Sequence, residues 1–138
     1  MRRFAALLAV VLVAACSSEI DTSTRPEEIV GTYQLRRYGG QALPALVSTD
    51  QPGAMELLSG ELVIDADKSW TESRVYRVTE GGVSQQFDFG SSGSWTLLGE
   101  GALMQFNDQE RGYQFTGTAA GGSVTLNLND GATVIYSH

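Results

Sequence analysis

Hydrophobic and polar residues alternate along most of the chain after residue 28, and glycine-rich breaks separate the alternating runs. Alternation with a period of two is typical of β-strands that bury one face. Glycine, asparagine and aspartate at the breaks tolerate the positive φ angles of tight hairpin turns. The pattern predicts no long helix, and it predicts strands near residues 29–38, 60–66, 69–79, 83–89, 94–98, 102–107, 112–119, 123–129 and 132–137.

The second half of the chain shows this alternation most clearly. Apolar side chains at every other position define a predicted buried face, with polar side chains between them. Eight or nine such strands in chain order predict a closed antiparallel β-barrel or a two-sheet sandwich, because closure removes exposed strand edges. The predicted buried face comprises Trp95, Leu97, Ala102, Met104, Phe106, Tyr113, Phe115, Val124, Leu126, Leu128, Val134 and Tyr136.

The segment 41–55 interrupts the pattern. It contains Pro44, Pro52 and Gly53 and lies between the first two predicted strands. Connections of this length are uncommon in compact domains and are often functional. We therefore expect an irregular loop near the opening of a barrel, or a short helix or lid there.

The strand predicted at 69–79 combines aromatic and charged residues on one face. If that face points inward, Glu72 and Arg74 form a buried pair that can hold the polar part of a ligand. If it points outward or lies at a rim, the two charges form a solvated pair worth less than about 1 kcal/mol. The alternation leaves both arrangements open. The residues of this face are Trp70, Glu72, Arg74, Tyr76 and Val78.

Residues 1–15 have the composition of an export signal. Arg2 and Arg3 precede an apolar run from Phe4 to Val13, and small residues follow the run. The run is too short to cross a bilayer, which requires roughly 20 apolar residues. Residues 16–28 are mostly polar, which is typical of a flexible tether.

The sequence Val13-Ala14-Ala15-Cys16 resembles the lipobox of bacterial lipoproteins. The resemblance implies that a diacylglycerol is attached to Cys16 and that cleavage leaves this residue as the new N-terminus. Several acyl chains give stable attachment, whereas a single chain is marginal. Ser17, a non-acidic residue after the lipid site, implies sorting to the outer membrane. We therefore expect a lipid-anchored protein of the cell envelope, at the periplasmic face of the outer membrane or at the cell surface.

Removal of residues 1–15 leaves seven basic and sixteen acidic residues, a formal net charge of −9. This acidity disfavours binding to nucleic acids and to anionic lipid headgroups. Cys16 is the sole cysteine, so a disulfide or a thiol nucleophile within one mature chain is excluded. The single histidine is the terminal His138 and the single lysine is Lys68 in a predicted turn, which argues against a catalytic base. We expect no enzymatic activity and no cofactor.

Two acidic segments, Asp65-Ala66-Asp67 and Asn129-Asp130-Gly131, carry oxygen ligands that calcium accepts. Neither has the spacing or the bidentate glutamate of a calcium loop. Aspartate and asparagine are also ordinary turn residues. We therefore predict that both segments are turns and expect no metal site.

The segment Ile29-Val30-Gly31-Thr32-Tyr33-Gln34-Leu35 and the Gly-Gln-Ala-Leu-Pro turn at 40–44 resemble the opening of lipocalin-like domains in small bacterial envelope lipoproteins. Tyr33 stands where lipocalins carry a tryptophan, and the predicted last strand has no basic residue to stack on it. The resemblance implies an antiparallel up-and-down β-barrel over residues 29–138. Further similar segments are 60–67, Gly93-Ser-Trp-Thr-Leu at 93–97 and Thr-Val-Ile-Tyr at 133–136.

An eight-stranded barrel of this type is either filled by side chains or holds one small ligand. We predict that it binds a small apolar or amphiphilic ligand. The alternative is a non-enzymatic interaction module, a subunit or an inhibitor, with a filled barrel that contacts another envelope protein. A hydrolase acting on glycans or lipids would require two opposed carboxylates, and the sequence offers no such pair. The candidate ligand-binding residues are Tyr33, Trp70, Glu72, Arg74, Tyr76 and Trp95.

Overall fold

The structure, a computed structural model, describes residues 25–51, 53–99 and 101–138. The predicted signal, Cys16 and most of the predicted tether lie outside these residues. The described residues form strands joined mostly by tight turns, preceded by one short helix. The elements are α1 (Pro26–Ile29), β1 (Gly31–Tyr38), β2 (Gln41–Ala42), β3 (Ala45–Gln51), β4 (Gly53–Ile64), β5 (Ser69–Glu80), β6 (Val83–Leu97), β7 (Leu103–Asp108), β8 (Gln114–Ala120), β9 (Ser123–Asn127) and β10 (Thr133–Ser137).

Eight of the strands form a closed antiparallel barrel. Strands β4 to β10 pair with their neighbours in chain order, and β1 pairs with both β10 and β4 to close the circle. Strand β2 adds to β1 and strand β3 adds to β4. The predicted all-β, up-and-down barrel is confirmed, with eight strands in the barrel itself.

The predicted buried face is confirmed as well. Its residues point into the barrel because each hairpin keeps the two-residue period of the neighbouring strand. Eight members of the set are buried: Trp95, Met104, Phe106, Phe115, Val124, Leu126, Val134 and Tyr136. Leu97, Ala102, Tyr113 and Leu128 are half-buried.

Helix α1 lies at one end of the barrel. The Ile29 side chain is fully buried, and the Ile29 carbonyl accepts a hydrogen bond of 2.6 Å from the hydroxyl of Tyr33. The ring of His138, one residue beyond β10, stacks on the Tyr33 ring at 4.2 Å between centroids. Tyr33 thus has a stacking partner directly after the last strand, which itself carries no basic residue. We call this the closed end.

Strand β6 is continuous where the sequence predicted two strands with a break near residues 90–93. Residues Gly90 to Gly93 pair one by one with Ser73 to Trp70 of β5. Gly93 also lies so close to the backbone of Asn107 on β7 that no side chain fits between them. The glycine permits close strand contact here and does not make a turn.

The segment 41–55 is not an irregular loop, so that expectation is wrong. It contains β2, β3 and the start of β4, and Ala45 and Leu46 of β3 pair with Leu57 and Glu56. Pro44 precedes β3 and Pro52 follows it. The prolines therefore flank the strand and do not remove a donor from its interior.

Strands β3 to β6 extend beyond the barrel on one side. Strand β7 pairs with β6 only from Gly93 to Leu97, whereas β5 pairs with β6 along its whole length. The outer edge of residues 83–90 pairs with no other strand in the part of the chain that the structure describes. Val83 and Phe87 on this edge are 64% and 43% exposed.

Candidate functional site

A cavity of about 400 Å³ opens at the end of the barrel opposite the closed end. Tyr38, the last residue of β1, lines it, whereas α1 precedes the first residue of β1. The apolar part of the wall comprises Tyr38, Val47, Phe89, Tyr113, Phe115 and Leu128. The polar part includes Glu72, Arg74, Tyr76, Ser91, Arg111 and Asp130. We call this space the barrel cavity.

Glu72, Arg74 and Tyr76 reach the barrel cavity because they occupy successive inward positions of β5. Their exposed fractions are 7%, 6% and 8%. The charged pair therefore lies inside the barrel, which is the first of the two arrangements that the sequence left open.

The Glu72 and Arg74 side chains form a buried ion pair. Arg74 donates from Nη2 at 2.6 Å and from Nε at 3.0 Å to the same oxygen, Oε1 of Glu72. The hydroxyl of Tyr136 on β10 donates a short hydrogen bond to this oxygen as well. Arg74 Nη1 lies 3.4 Å from the hydroxyl oxygen of Tyr76. Four side chains from β5 and β10 thus share one hydrogen-bond network.

The charges of this network change the proton affinity of its members. Burial raises the pKa of Tyr136 far above its usual value, and the Glu72 carboxylate raises it further. Burial alone would lower the pKa of Arg74, but the Tyr136 hydroxyl and the Glu72 carboxylate favour its charged form more strongly, so its pKa is raised. Arg74 is therefore charged and Tyr136 remains a hydrogen-bond donor at neutral pH.

A second polar group lies at the rim of the barrel cavity around Asp108. Ser91 donates to Asp108 Oδ2 at 2.7 Å, and Arg111 Nη1 contacts the same oxygen at 3.1 Å. The other oxygen, Oδ1, accepts the backbone amides of residues 110 and 111, each at 2.9 Å. The Arg111 guanidinium also lies 4.1 Å from the ring centroid of Phe89. These contacts fix the position of Arg111 beside the opening.

The Asp108→Asn substitution is expected to lower the free energy of unfolding by about 1–3 kcal/mol at neutral pH. Burial would raise the pKa of Asp108, but the hydrogen bonds from Ser91 and the backbone amides and the charge of Arg111 outweigh it, so the pKa is lowered. The carboxylate therefore stabilises the fold above its unfolded-state pKa of about 3.9, and this contribution is lost as the pH falls through the lower native value.

Urea unfolding of both proteins between about pH 7 and pH 3 measures this difference. The difference in free energy of unfolding between the wild type and Asp108→Asn should become smaller as the pH falls towards about 3. Asp88→Asn, at an exposed position on β6, serves as the control and should change the free energy of unfolding little. A gap that is constant over the range would contradict the role given to the Asp108 charge.

The structure brings together three of the six predicted site residues at the barrel cavity: Glu72, Arg74 and Tyr76. The other three lie in the filled part of the barrel and do not line the barrel cavity. Tyr33 is held at the closed end, Trp70 packs edge-on against Phe106 and Phe115, and the indole of Trp95 donates to the Asp65 carbonyl at 3.1 Å. The alternation places all six on the inward face and carries no information on depth along the barrel.

The sequence did not predict several residues that line the barrel cavity, among them Tyr38, Ser91, Arg111 and Asp130, nor Asp108, which holds Ser91 and Arg111. Ser91 was missed because residues 90–93 looked like a break between strands. Arg111 lies in the β7–β8 connection, and no local pattern shows that this connection folds over the opening. Asp108 carries a weak signal, since an aspartate at a strand end commonly accepts the amides of the following turn.

The two acidic segments considered as metal ligands form turns. Asp67 accepts the Ser69 amide at 2.9 Å, and Asp130 accepts the Ala132 amide at the same distance. In residues 25–138, leaving aside the undescribed positions 52 and 100, no group of three or more metal-ligating side chains could hold an ion.

Comparisons with protein-family models, with curated proteins and with solved structures give no match. What the chain does must therefore be inferred from the barrel cavity itself.

Proposed function

We propose that this protein is a lipid-anchored envelope lipoprotein whose lipocalin-like barrel binds one small apolar or amphiphilic ligand in the barrel cavity. The observation that carries the proposal is an open cavity with aromatic walls and a buried Glu72–Arg74 pair. Ligand pockets typically have about 300–1,000 Å³, mostly apolar walls and a few placed polar groups. The proposal assigns binding rather than catalysis.

Two further features support a lipocalin-like domain. The barrel has eight strands in up-and-down order, as lipocalins do. At its closed end the Tyr33 ring stacks on the only histidine of the chain, His138. This pair occupies the place where the resemblance implied a first-strand aromatic residue with a basic partner.

A cavity-filling substitution tests the binding proposal. Purified full-length protein is titrated with N-phenyl-1-naphthylamine, an uncharged apolar probe whose fluorescence rises in a dry site. The Leu128→Trp variant places an indole into the barrel cavity and should weaken probe binding by at least about tenfold, which is 1.4 kcal/mol.

The matched control is Leu103→Trp, the same substitution at a side chain that is 41% exposed on β7. It should bind the probe as the wild type does. The binding proposal fails if the folded wild type does not bind the probe, or if Leu128→Trp and Leu103→Trp bind it equally well.

The anchoring part of the proposal depends on Cys16, which lies outside the described residues. No helix within the described ranges is long and apolar enough to span a bilayer. We expect Cys16→Ser to move the protein from the membrane fraction to the soluble fraction of a two-membrane bacterium, because the acyl chains supply the attachment. Intact mass spectrometry of the wild type should show the added lipid. A wild-type chain without lipid, or a variant that stays in the membrane fraction, would disprove the anchor.

A protein-interaction module remains the second candidate, and one observation favours it. The β6 edge at residues 83–90 is unpaired within the described chain and exposes Val83 and Phe87. Such an edge can accept a strand from another protein. Crosslinking in intact cells separates the candidates: one dominant protein adduct with no extractable small molecule supports the interaction module.

A further inference from the structure

The hydrogen bonds of the Glu72–Arg74 pair leave specific atoms unused. Oε1 of Glu72 accepts both bonds from Arg74 and the bond from Tyr136. Oε2 has no hydrogen-bond partner among the described residues, and no buried side-chain nitrogen or oxygen among them is left unpaired. Oε2 is therefore accessible. Because Glu72 lines the barrel cavity, this oxygen is available as an acceptor there.

Arg74, which also lines the barrel cavity, has unused donors. Its guanidinium carries five N–H groups. Three of them serve Glu72, Tyr136 and Tyr76, so one N–H remains on each of Nη1 and Nη2. The barrel cavity thus contains an acceptor and two donors on neighbouring side chains.

Each arginine that lines the barrel cavity is paired with a carboxylate, and the remaining wall carboxylate, Asp130, is exposed at the rim. Arg74 is paired with Glu72, and Arg111 at the rim is paired with Asp108. An anionic headgroup that reaches Arg74 also meets Oε2 of Glu72, and a cationic headgroup that reaches Oε2 also meets Arg74. Both would be buried next to a like charge, which disfavours binding.

We propose that the barrel cavity selects an uncharged headgroup that both donates and accepts hydrogen bonds, such as the hydroxyl of a fatty alcohol or monoacylglycerol or the amide of a fatty amide. This inference rests on the proposed binding function and adds the chemical class of the ligand. The ligand hydroxyl donates a hydrogen bond to Glu72 Oε2, and its oxygen accepts a hydrogen bond from an N–H group of Arg74. The alkyl chain lies against the aromatic wall formed by Phe89, Tyr113 and Phe115.

A ligand series with one alkyl chain and different headgroups tests the selection. Decanol, decanamide, decanoate, decyltrimethylammonium and decane compete with N-phenyl-1-naphthylamine on the full-length wild type at neutral pH. Decanol and decanamide should displace the probe at concentrations about tenfold lower than the charged ligands and decane require.

The Glu72→Gln substitution is expected to change the order in which the decyl ligands compete with the probe. It leaves the Arg74 charge without its partner, so decanoate should become the best competitor. The matched control is Glu56→Gln, which removes the carboxylate of the half-exposed Glu56–Arg77 pair outside the barrel cavity and should leave the order unchanged. Circular dichroism shows whether each variant is folded, and the wild-type series decides the question even if Glu72→Gln does not fold.

The outcomes separate this inference from the proposed function. If decanoate, decyltrimethylammonium or decane competes with the wild type as well as decanol does, the headgroup inference is overturned and the binding function stands. If the probe binds and Glu72→Gln folds with an unchanged order, the inference is also overturned. If neither the probe nor any ligand binds the folded wild type, the proposed function itself fails.

Discussion

Replacement of Arg74 by methionine is expected to lower the free energy of unfolding by about 3–5 kcal/mol. The substitution leaves the Glu72 carboxylate in a site where its side chain is only 5% exposed, with no opposite charge beside it. Tyr136, fully buried, remains as a donor but carries no charge to compensate. Urea unfolding followed by circular dichroism measures the loss.

The matched control is Arg77→Met, three residues further along β5. Arg77 pairs with Glu56 at 2.7 Å, but about a third of each side chain is exposed. Solvent screens such a pair, and its loss should cost less than about 1 kcal/mol. Combining Arg74→Met with Glu72→Leu should recover most of the stability, because both charges are then gone. Equal losses in Arg74→Met and Arg77→Met would contradict the buried ion pair.

The Gly93→Ala variant is expected to lose more than about 4 kcal/mol of stability, or not to fold. A Cβ atom at position 93 collides with the backbone carbonyl of Asn107 and lies 3.0 Å from Nε1 of Trp70. Neither neighbour can move easily. Asn107 belongs to paired strand β7, and the Trp70 indole donates to the Ser94 carbonyl at 3.1 Å. The collision therefore separates β6 from β7 or displaces the buried indole.

Gly90→Ala provides the control on the same strand. A Cβ atom at position 90 meets nothing within 4 Å. Alanine also restricts the unfolded chain more than glycine does, so this variant should match the wild type or exceed it by up to about 1 kcal/mol. Thermal or urea unfolding of the two variants measures the contrast. Similar stabilities for both would show that β6 and β7 are not in close contact at Gly93.

The sequence predicts the barrel because strand alternation is a local property. Trp95, Phe106 and Val124 can be assigned to the inward face from their immediate neighbours alone, and all three are buried. The depth of a side chain along the barrel axis is not a local property. Trp70 and Tyr76 share one face of one strand, yet the first belongs to the filled part and the second lines the barrel cavity. Depth depends on pairings between distant strands, which no short window of sequence contains.

Glycine and proline explain the two misassigned segments. Gly90 and Gly93 suggest a break between strands. Position 93 requires a glycine for another reason, because its backbone lies in close contact with Asn107 on a neighbouring strand. Pro44 and Pro52 suggested an irregular loop, although they only flank β3. In both cases the sequence shows that a glycine or a proline is present, but only the tertiary structure shows why that residue type fits its position.

The position of helix α1 determines at which end of the barrel an attachment through the N-terminal chain would act. Chain that precedes Arg25 joins the barrel at the end that Ile29 and Tyr33 seal. A tether attached there holds the barrel by its base. In the proposed lipid-anchored form, the entrance beside Tyr38 and Arg111 would therefore lie at the end of the barrel remote from the attachment point, and a ligand would reach it without passing the sealed end.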